Sequence, residues 1–176
     1  MLSLGETSWW LLFISWMLLG AYFDLRARRI PNVLVLTAIA IHICLLTYAT
    51  WAGVRLPGAG TWSAALTGLL AGFAFLVFWI LRVMGAGDVK FLAALGFWVG
   101  TGPMVPILFF GTLAAMAHAM CQLAYRYQFG QVLFDRKSAK GCPYAGYLAI
   151  SAVSLALMQL SSRSCFSFFS RFCTPF

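Results

Sequence analysis

Six apolar runs follow one another along this chain, at Ser8 to Phe23, Val33 to Gly53, Trp62 to Leu81, Val89 to Gly100, Pro103 to Tyr125 and Pro143 to Leu160. Short polar or Gly/Pro segments separate them. About 20 apolar residues in helical form cross the hydrocarbon of a bilayer. The second, third and fifth runs reach that length, and the first and fourth are short. A backbone in lipid must satisfy its own hydrogen bonds, which makes each run a helix. The expected fold is therefore all-α: a polytopic integral membrane protein of about six transmembrane helices. Residues 1–160 form the transmembrane domain and 161–176 a Ser/Phe-rich tail to which no function is assigned. Composition agrees, with 62% hydrophobic and only 9% charged residues, where a soluble domain carries about 25% charged. The lipid bilayer is thus an obligatory partner.

Placement of the basic residues sets an orientation, because Lys and Arg collect on the cytoplasmic side. With the N-terminus outside, the inward segments hold Arg26, Arg28, Arg29, Arg82, Lys90, Arg126, Arg136, Lys137 and Lys140, against Arg55, Arg163 and Arg171 outside. Nine against three favours six helices with both termini outside. The net charge of +8 is explained by this asymmetry, and nucleic acid is not an expected partner. Glu6 precedes the first apolar run, no basic residue does, and no A-x-A-like site follows, so that run is expected to stay rather than be removed as a signal peptide. The five cysteines, Cys44, Cys121, Cys142, Cys165 and Cys173, form no CxxC pair. Neither a metal site nor a disulfide framework is indicated, and no cofactor is expected.

Only four acidic residues exist: Glu6, Asp24, Asp88 and Asp135. A carboxylate inside or at the end of a membrane span is costly and calls for a pathway, a partner or catalysis. Asp24 ends the first span and Asp88 opens the fourth, so the topology brings both to the cytoplasmic face. In Gly85-Ala86-Gly87-Asp88 two glycines permit positive φ and leave no side chain against an approaching peptide backbone, which suggests a helix break. A helix from Asp88 to Gly100 is only about 20 Å long, too short to span about 30 Å, which sets Asp88 below the membrane surface.

Two carboxylates a few Å apart do not both ionise readily and tend to share one proton. One then takes a proton from an attacking water while the other donates to the scissile carbonyl oxygen, which is aspartic proteolysis without metal or covalent intermediate. The sequence does not tell which aspartate plays which part. The plainer account of each is that Asp24 pairs with Arg26, Arg28 or Arg29, while Asp88 caps its helix and pairs with Lys90.

Motif order adds to this. Asp24 is followed by Arg29-Ile30-Pro31-Asn32, then by Gly85-Ala86-Gly87-Asp88-Val89-Lys90, then by Lys140-Gly141-Cys142-Pro143-Tyr144. Over roughly residues 15 to 150 this resembles the type IV prepilin peptidase family of intramembrane GxGD aspartic proteases, the last segment being similar to its K-x-x-P-[YF] entry to the final helix. Separately none of these motifs is specific; together they are. The resemblance implies Asp24 and Asp88 as catalytic pair and Gly85 and Gly87 as shapers of the substrate cleft. It also implies prepilin or pseudopilin substrates, with a basic leader cut after glycine ahead of an apolar helix, at a bacterial inner membrane. A basic leader gains nothing from nine positive charges on that side and must be held by backbone, shape or the dyad. Only about eight residues, Asp24 to Pro31, join the first two spans, and no cysteine tetrad is present. That resembles the short, peptidase-only form of Flp or tight-adherence systems and speaks against N-methylation.

Two other readings use fewer of these residues. A small transporter or channel subunit would bind a cation or relay a proton at Asp88 and leave Asp24 idle. A structural subunit would use the glycine pairs Gly68/Gly72 and Gly96/Gly100 for helix packing, which is the expected role of those pairs in any reading. His42 and His118 are expected as hydrogen-bonded bundle residues, Lys90 as a lysine reaching toward headgroups, and Asp135 as a solvated surface charge beside Arg136 and Lys137.

Overall fold

The computed structural model describes residues 4–27, 29–82, 84–128 and 144–172. Within them the chain forms seven helices and no strand: α1 (Leu4–Ala27), α2 (Asn32–Ala52), α3 (Trp62–Ala74), α4 (Leu76–Ile80), α5 (Ala86–Val99), α6 (Thr101–Gln128) and α7 (Tyr144–Phe172). α3 and α4 are one rod interrupted at Phe75, so six rods correspond to the six apolar runs. Four of them are long and apolar enough to cross a membrane: Gly5–Ala27, Asn32–Ala52, Trp62–Ile80 and Thr101–Tyr125. The protein is a multi-pass membrane protein. α1 is longer than its apolar run, because Glu6 in its first turn and Arg26 in its last suit the two ends of the helix dipole.

Local chemistry sets the boundaries. Pro31, extended at φ −63° and ψ 136°, starts α2, and Gly53 ends it in the left-handed region, its N–H donating to the Ala49 carbonyl. Thr61 caps α3 by accepting from the Ala64 amide at 3.3 Å.

α5 is the axis of the bundle. Ten of its residues, Val89 and Phe91 to Val99, are buried, as expected of a helix apolar all round. Its partner on one side is α3, at a crossing where a methyl added to Gly68 would lie 1.9 Å from the Gly96 carbonyl oxygen, and one added to Gly96 would lie 2.1 Å from that of Gly68. The two glycine pairs of the sequence thus meet each other, giving the close approach by which helices pack where lipid removes the hydrophobic incentive.

On another side α5 meets an aromatic stripe of α1. Trp9, Phe13, Trp16 and Gly20 recur at helical spacing. Trp98 packs against Trp9, Phe13 and Trp16 at ring-centroid distances of 5.5, 5.8 and 6.0 Å, and Trp16 against Phe91 at 5.0 Å. Low numbers on α1 pair with high numbers on α5, so the two helices run antiparallel. The Trp98 indole N–H, which would be orphaned in this core, donates to the Ala38 carbonyl of α2 at 3.0 Å.

The two histidines differ. His118 is hydrogen-bonded to Gln122 and to Tyr147 of α7. His42 departs from expectation: fully buried, it stacks on Trp98 at 4.8 Å, near the backbone of Ala59 and Phe97 but without a well-formed hydrogen bond. Asp135, Arg28, Arg136, Lys137, the Lys140 to Pro143 motif, Cys142 and Cys173 lie outside the described residues, as do the side chains of Arg126, Arg163, Cys165 and Arg171.

Candidate active site

The stripe that packs α1 on α5 ends in the site. Gly20 lies so close to the Phe91 ring that a methyl there would come within 2.7 Å of it. One turn beyond Gly20 on α1 is Asp24, and one turn before Phe91 on α5 is Asp88. Because the helices are antiparallel, both steps lead toward the same end of the bundle. The two carboxylates, 64 positions apart in sequence, are within electrostatic reach of each other. Asp24 is buried, at 6% exposure, and Asp88 is half-buried.

The first turn of α7 closes the third side. The Gly146 backbone N–H donates to Asp24 Oδ2 at 2.9 Å, and the half-buried Tyr144 lies in the field of Asp88. Amides in the first turn of a helix have no carbonyl of their own helix to bond, so a carboxylate is a natural partner for one of them. Tyr144 belongs to a motif quoted above, but Gly146 gave no signal. The one signal is the general rule that first-turn amides need outside acceptors, which holds for every helix and does not choose the residue.

Neither aspartate is neutralised by a basic side chain among the described residues. Arg26 donates to the Tyr22 hydroxyl at 3.1 Å, and the Lys90 ammonium donates to Asn32 Oδ1 at 3.0 Å. The expected lysine reaching toward headgroups is instead tied to the first residue of α2, and the two ion pairs of the plainer account are absent for these two bases. The bond links two of the motifs directly, as does Ile30, which lies 3.8 Å from the position of a methyl on Gly87.

The glycines act differently from expectation. Neither Gly85 nor Gly87 has positive φ; the left-handed residue of this turn is Arg82, at φ 59°, uncommon for a non-glycine. Gly85 is extended, at φ −70° and ψ 144°, and α5 begins directly after it at Ala86 rather than at Asp88. The need for glycine at 85 is steric: an added methyl would stand 3.2 Å from Asp88 Oδ2. Asp88 thus turns back toward the start of its own helix, where Gly85 leaves it room.

No group of three or more His, Cys, Asp or Glu suited to a metal occurs among the described residues. An apolar cavity of about 560 Å³, lined by Trp10, Pro103, Pro106 and Ala152 among others, lies toward the other end of α1 and α5 and includes neither aspartate.

Against known proteins, the family described as Type IV leader peptidase family matches residues 11–120. Two prepilin leader peptidase/N-methyltransferases of Burkholderia pseudomallei, from strains 1026b and K96243, are each 28% identical over 102 residues. The match covers 53% of this chain and 30% of each relative, so the chain spans under a third of the length of those proteins. No solved structure matches at a significant level.

Proposed function

The chain belongs to the type IV leader peptidase family, and from that premise we propose that it is an intramembrane aspartic endopeptidase that removes the leader from prepilin or pseudopilin precursors. The observation that carries the proposal is the convergence of Asp24 and Asp88 at one end of the bundle with no cation on either among the described residues. Two carboxyl groups brought together with no basic side chain on either among the described residues suit shared-proton chemistry.

Hydrolysis then needs only the dyad and water. One carboxylate accepts a proton as the water oxygen bonds to the scissile carbonyl carbon, and the other gives its proton to the carbonyl oxygen. The tetrahedral diol collapses as the peptide nitrogen takes a proton from the first carboxyl, a diol hydroxyl returns its proton to the second carboxylate and the C–N bond breaks, releasing a new amine and a new carboxyl group with the dyad restored. Gly85 and Gly87 border Asp88 without side chains, and we assign them to the passage of the substrate backbone.

The distribution of the basic residues supports a cytoplasmic orientation for this end of the bundle, and we assign it to a bacterial inner membrane, where a substrate with a leader inside and an apolar helix in the bilayer presents its junction. Methyl transfer is left out of the proposal, since only residues 28–31 separate α1 from α2. No observation favours cation transport through Asp88.

The test is cleavage of a co-expressed prepilin in membranes, read as a mobility shift, for wild type, Asp24→Asn and Asp88→Asn. Cleavage by wild type and by neither variant is expected. Wild type that cuts no prepilin, or variants that both still cut, would sink the dyad and make ion flux through Asp88 the next measurement.

A further inference from the structure

The dyad is not symmetric in its surroundings. Asp24 is buried and receives a well-formed hydrogen bond from another helix, the Gly146 amide at 2.9 Å on Oδ2. Asp88 is half-buried, stands at the start of its own helix, and lies within electrostatic reach of Asp24 and Tyr144. The bases nearest in sequence are turned elsewhere, Arg26 to Tyr22 and Lys90 to Asn32. A backbone N–H aimed at a carboxylate oxygen binds the anion more strongly than the neutral acid and cannot accept the acid's proton in a hydrogen bond. Its position in the first turn of α7 adds the positive end of that helix dipole.

We infer that Gly146 is a positioning residue whose amide holds Asp24 as the proton-accepting carboxylate and leaves the shared proton on Asp88. This rests on the peptidase reading for its meaning, though not for its test. With Oδ2 tied to the amide, Oδ1 of Asp24 is the oxygen left to take the proton of the attacking water. Asp88, which receives no hydrogen bond from another helix among the described residues, delivers its proton to the carbonyl oxygen. The site is then a three-helix construction, and α7 contributes through its backbone rather than a side chain.

The position allows a direct test. A methyl on Gly146 would lie 3.8 Å from both Asp24 Oδ2 and Leu25 Cγ, an ordinary contact, so Gly146→Ala keeps the amide without crowding. Gly146→Pro removes the amide at a place where proline is tolerated, since first-turn N–H groups have no helical acceptor. Dicyclohexylcarbodiimide is lipid-soluble and adds to protonated carboxyls, so peptide mapping by mass spectrometry reports which aspartate carries the proton whether or not the protein cuts anything.

In wild type and Gly146→Ala the adduct is expected on Asp88 and not on Asp24. In Gly146→Pro, Asp24 is expected to label as well. With a prepilin substrate, kcat of Gly146→Pro falls about 10- to 100-fold, the range for a lost hydrogen bond to a charged group, at nearly unchanged KM, while Gly146→Ala matches wild type. Labelling of Asp24 as fast as Asp88 in wild type overturns the inference even where the proline variant fails to fold. So does a folded Gly146→Pro with Asp24 unlabelled and kcat unchanged. The expected labelling in a protein that cuts no prepilin would remove the peptidase reading and leave the proton assignment standing.

Discussion

The two sides of α5 are built on opposite terms. Toward α3 the helix is sealed: Gly68 and Gly96 bring two backbones together with no room for a methyl, and Gly72 rests directly on Ala93. Toward α1 and α7, at its amino end, α5 presents a half-buried carboxylate to a buried one, with Lys90 pointed at Asn32 instead. The seam is well packed and chemically inert. The mouth keeps two carboxyl groups together with no basic side chain on either among the described residues, an arrangement that favours retention of a proton by one of them. Substitutions at the seam should therefore lower stability first, and substitutions at the mouth should lower activity first.

The largest effect tests the mouth. Asp24→Asn and Asp88→Asn should each lower prepilin cleavage by about 10²- to 10⁴-fold, the usual contribution of a positioned acid or base. Thermal unfolding in detergent should stay where it is or move upward, since asparagine keeps the shape of each side chain and removes a carboxyl group from beside another. A fall in the unfolding midpoint matching the loss of cleavage would break the comparison, because the aspartates would then be structural. At the seam, Gly68→Ala should cost about 1–3 kcal/mol of stability, the usual range for overpacking. The surviving folded fraction should cut with wild-type kcat. Unaltered stability on SDS titration would mean that α3 and α5 are not in contact at that crossing.

Much of this contrast is written in the chain, but unevenly. Number, type and rough extent of the helices follow from the apolar runs, because lipid leaves a backbone no other choice. That Asp24 and Asp88 share one end follows from counting spans. That no basic side chain pairs with either among the described residues does not, since Arg26, Arg29 and Lys90 are all close in sequence, and only the directions of side chains around each helix decide between pairing and separation. The glycine pairs Gly68/Gly72 and Gly96/Gly100 announce close packing without saying that they pack on each other, a matter of crossing geometry. Gly85 reads as a residue of positive φ and is a residue of low bulk, while the left-handed turn falls on Arg82. Gly146 is invisible for a simpler reason: its part is played by a backbone amide, which every non-proline residue has.

The two glycines of the mouth sharpen the comparison at an intermediate scale. A methyl at Gly85 would press on Asp88 Oδ2 at 3.2 Å, whereas one at Gly87 meets only Ile30, at an ordinary 3.8 Å. Gly85→Ala should therefore displace the acid and lower kcat by about 3- to 10-fold. Gly87→Ala should act on the approach of substrate, raising KM by a similar factor at constant kcat. Equal effects on the same parameter would mean that the two positions have one role.

The smallest effect decides whether Lys90 belongs to the seam or to the mouth. It lies two residues beyond Asp88, about 200° around a helix of 3.6 residues per turn, so its side chain leaves α5 on nearly the opposite side. There it donates to Asn32 at 3.0 Å and ties the start of α2 to the start of α5. Both residues are exposed, so the bond is expected to be worth about 1 kcal/mol. A double-mutant cycle of Lys90→Met and Asn32→Leu on detergent-unfolding stability should return a coupling of that size. Because the ammonium faces away from the dyad, kcat should change by less than about twofold in either single variant, roughly 0.4 kcal/mol of transition-state free energy. If Lys90→Met instead abolished cleavage at unchanged stability, a cation would have to reach the carboxylates or the substrate during turnover. Lys90 would then belong to the mouth rather than to the seam.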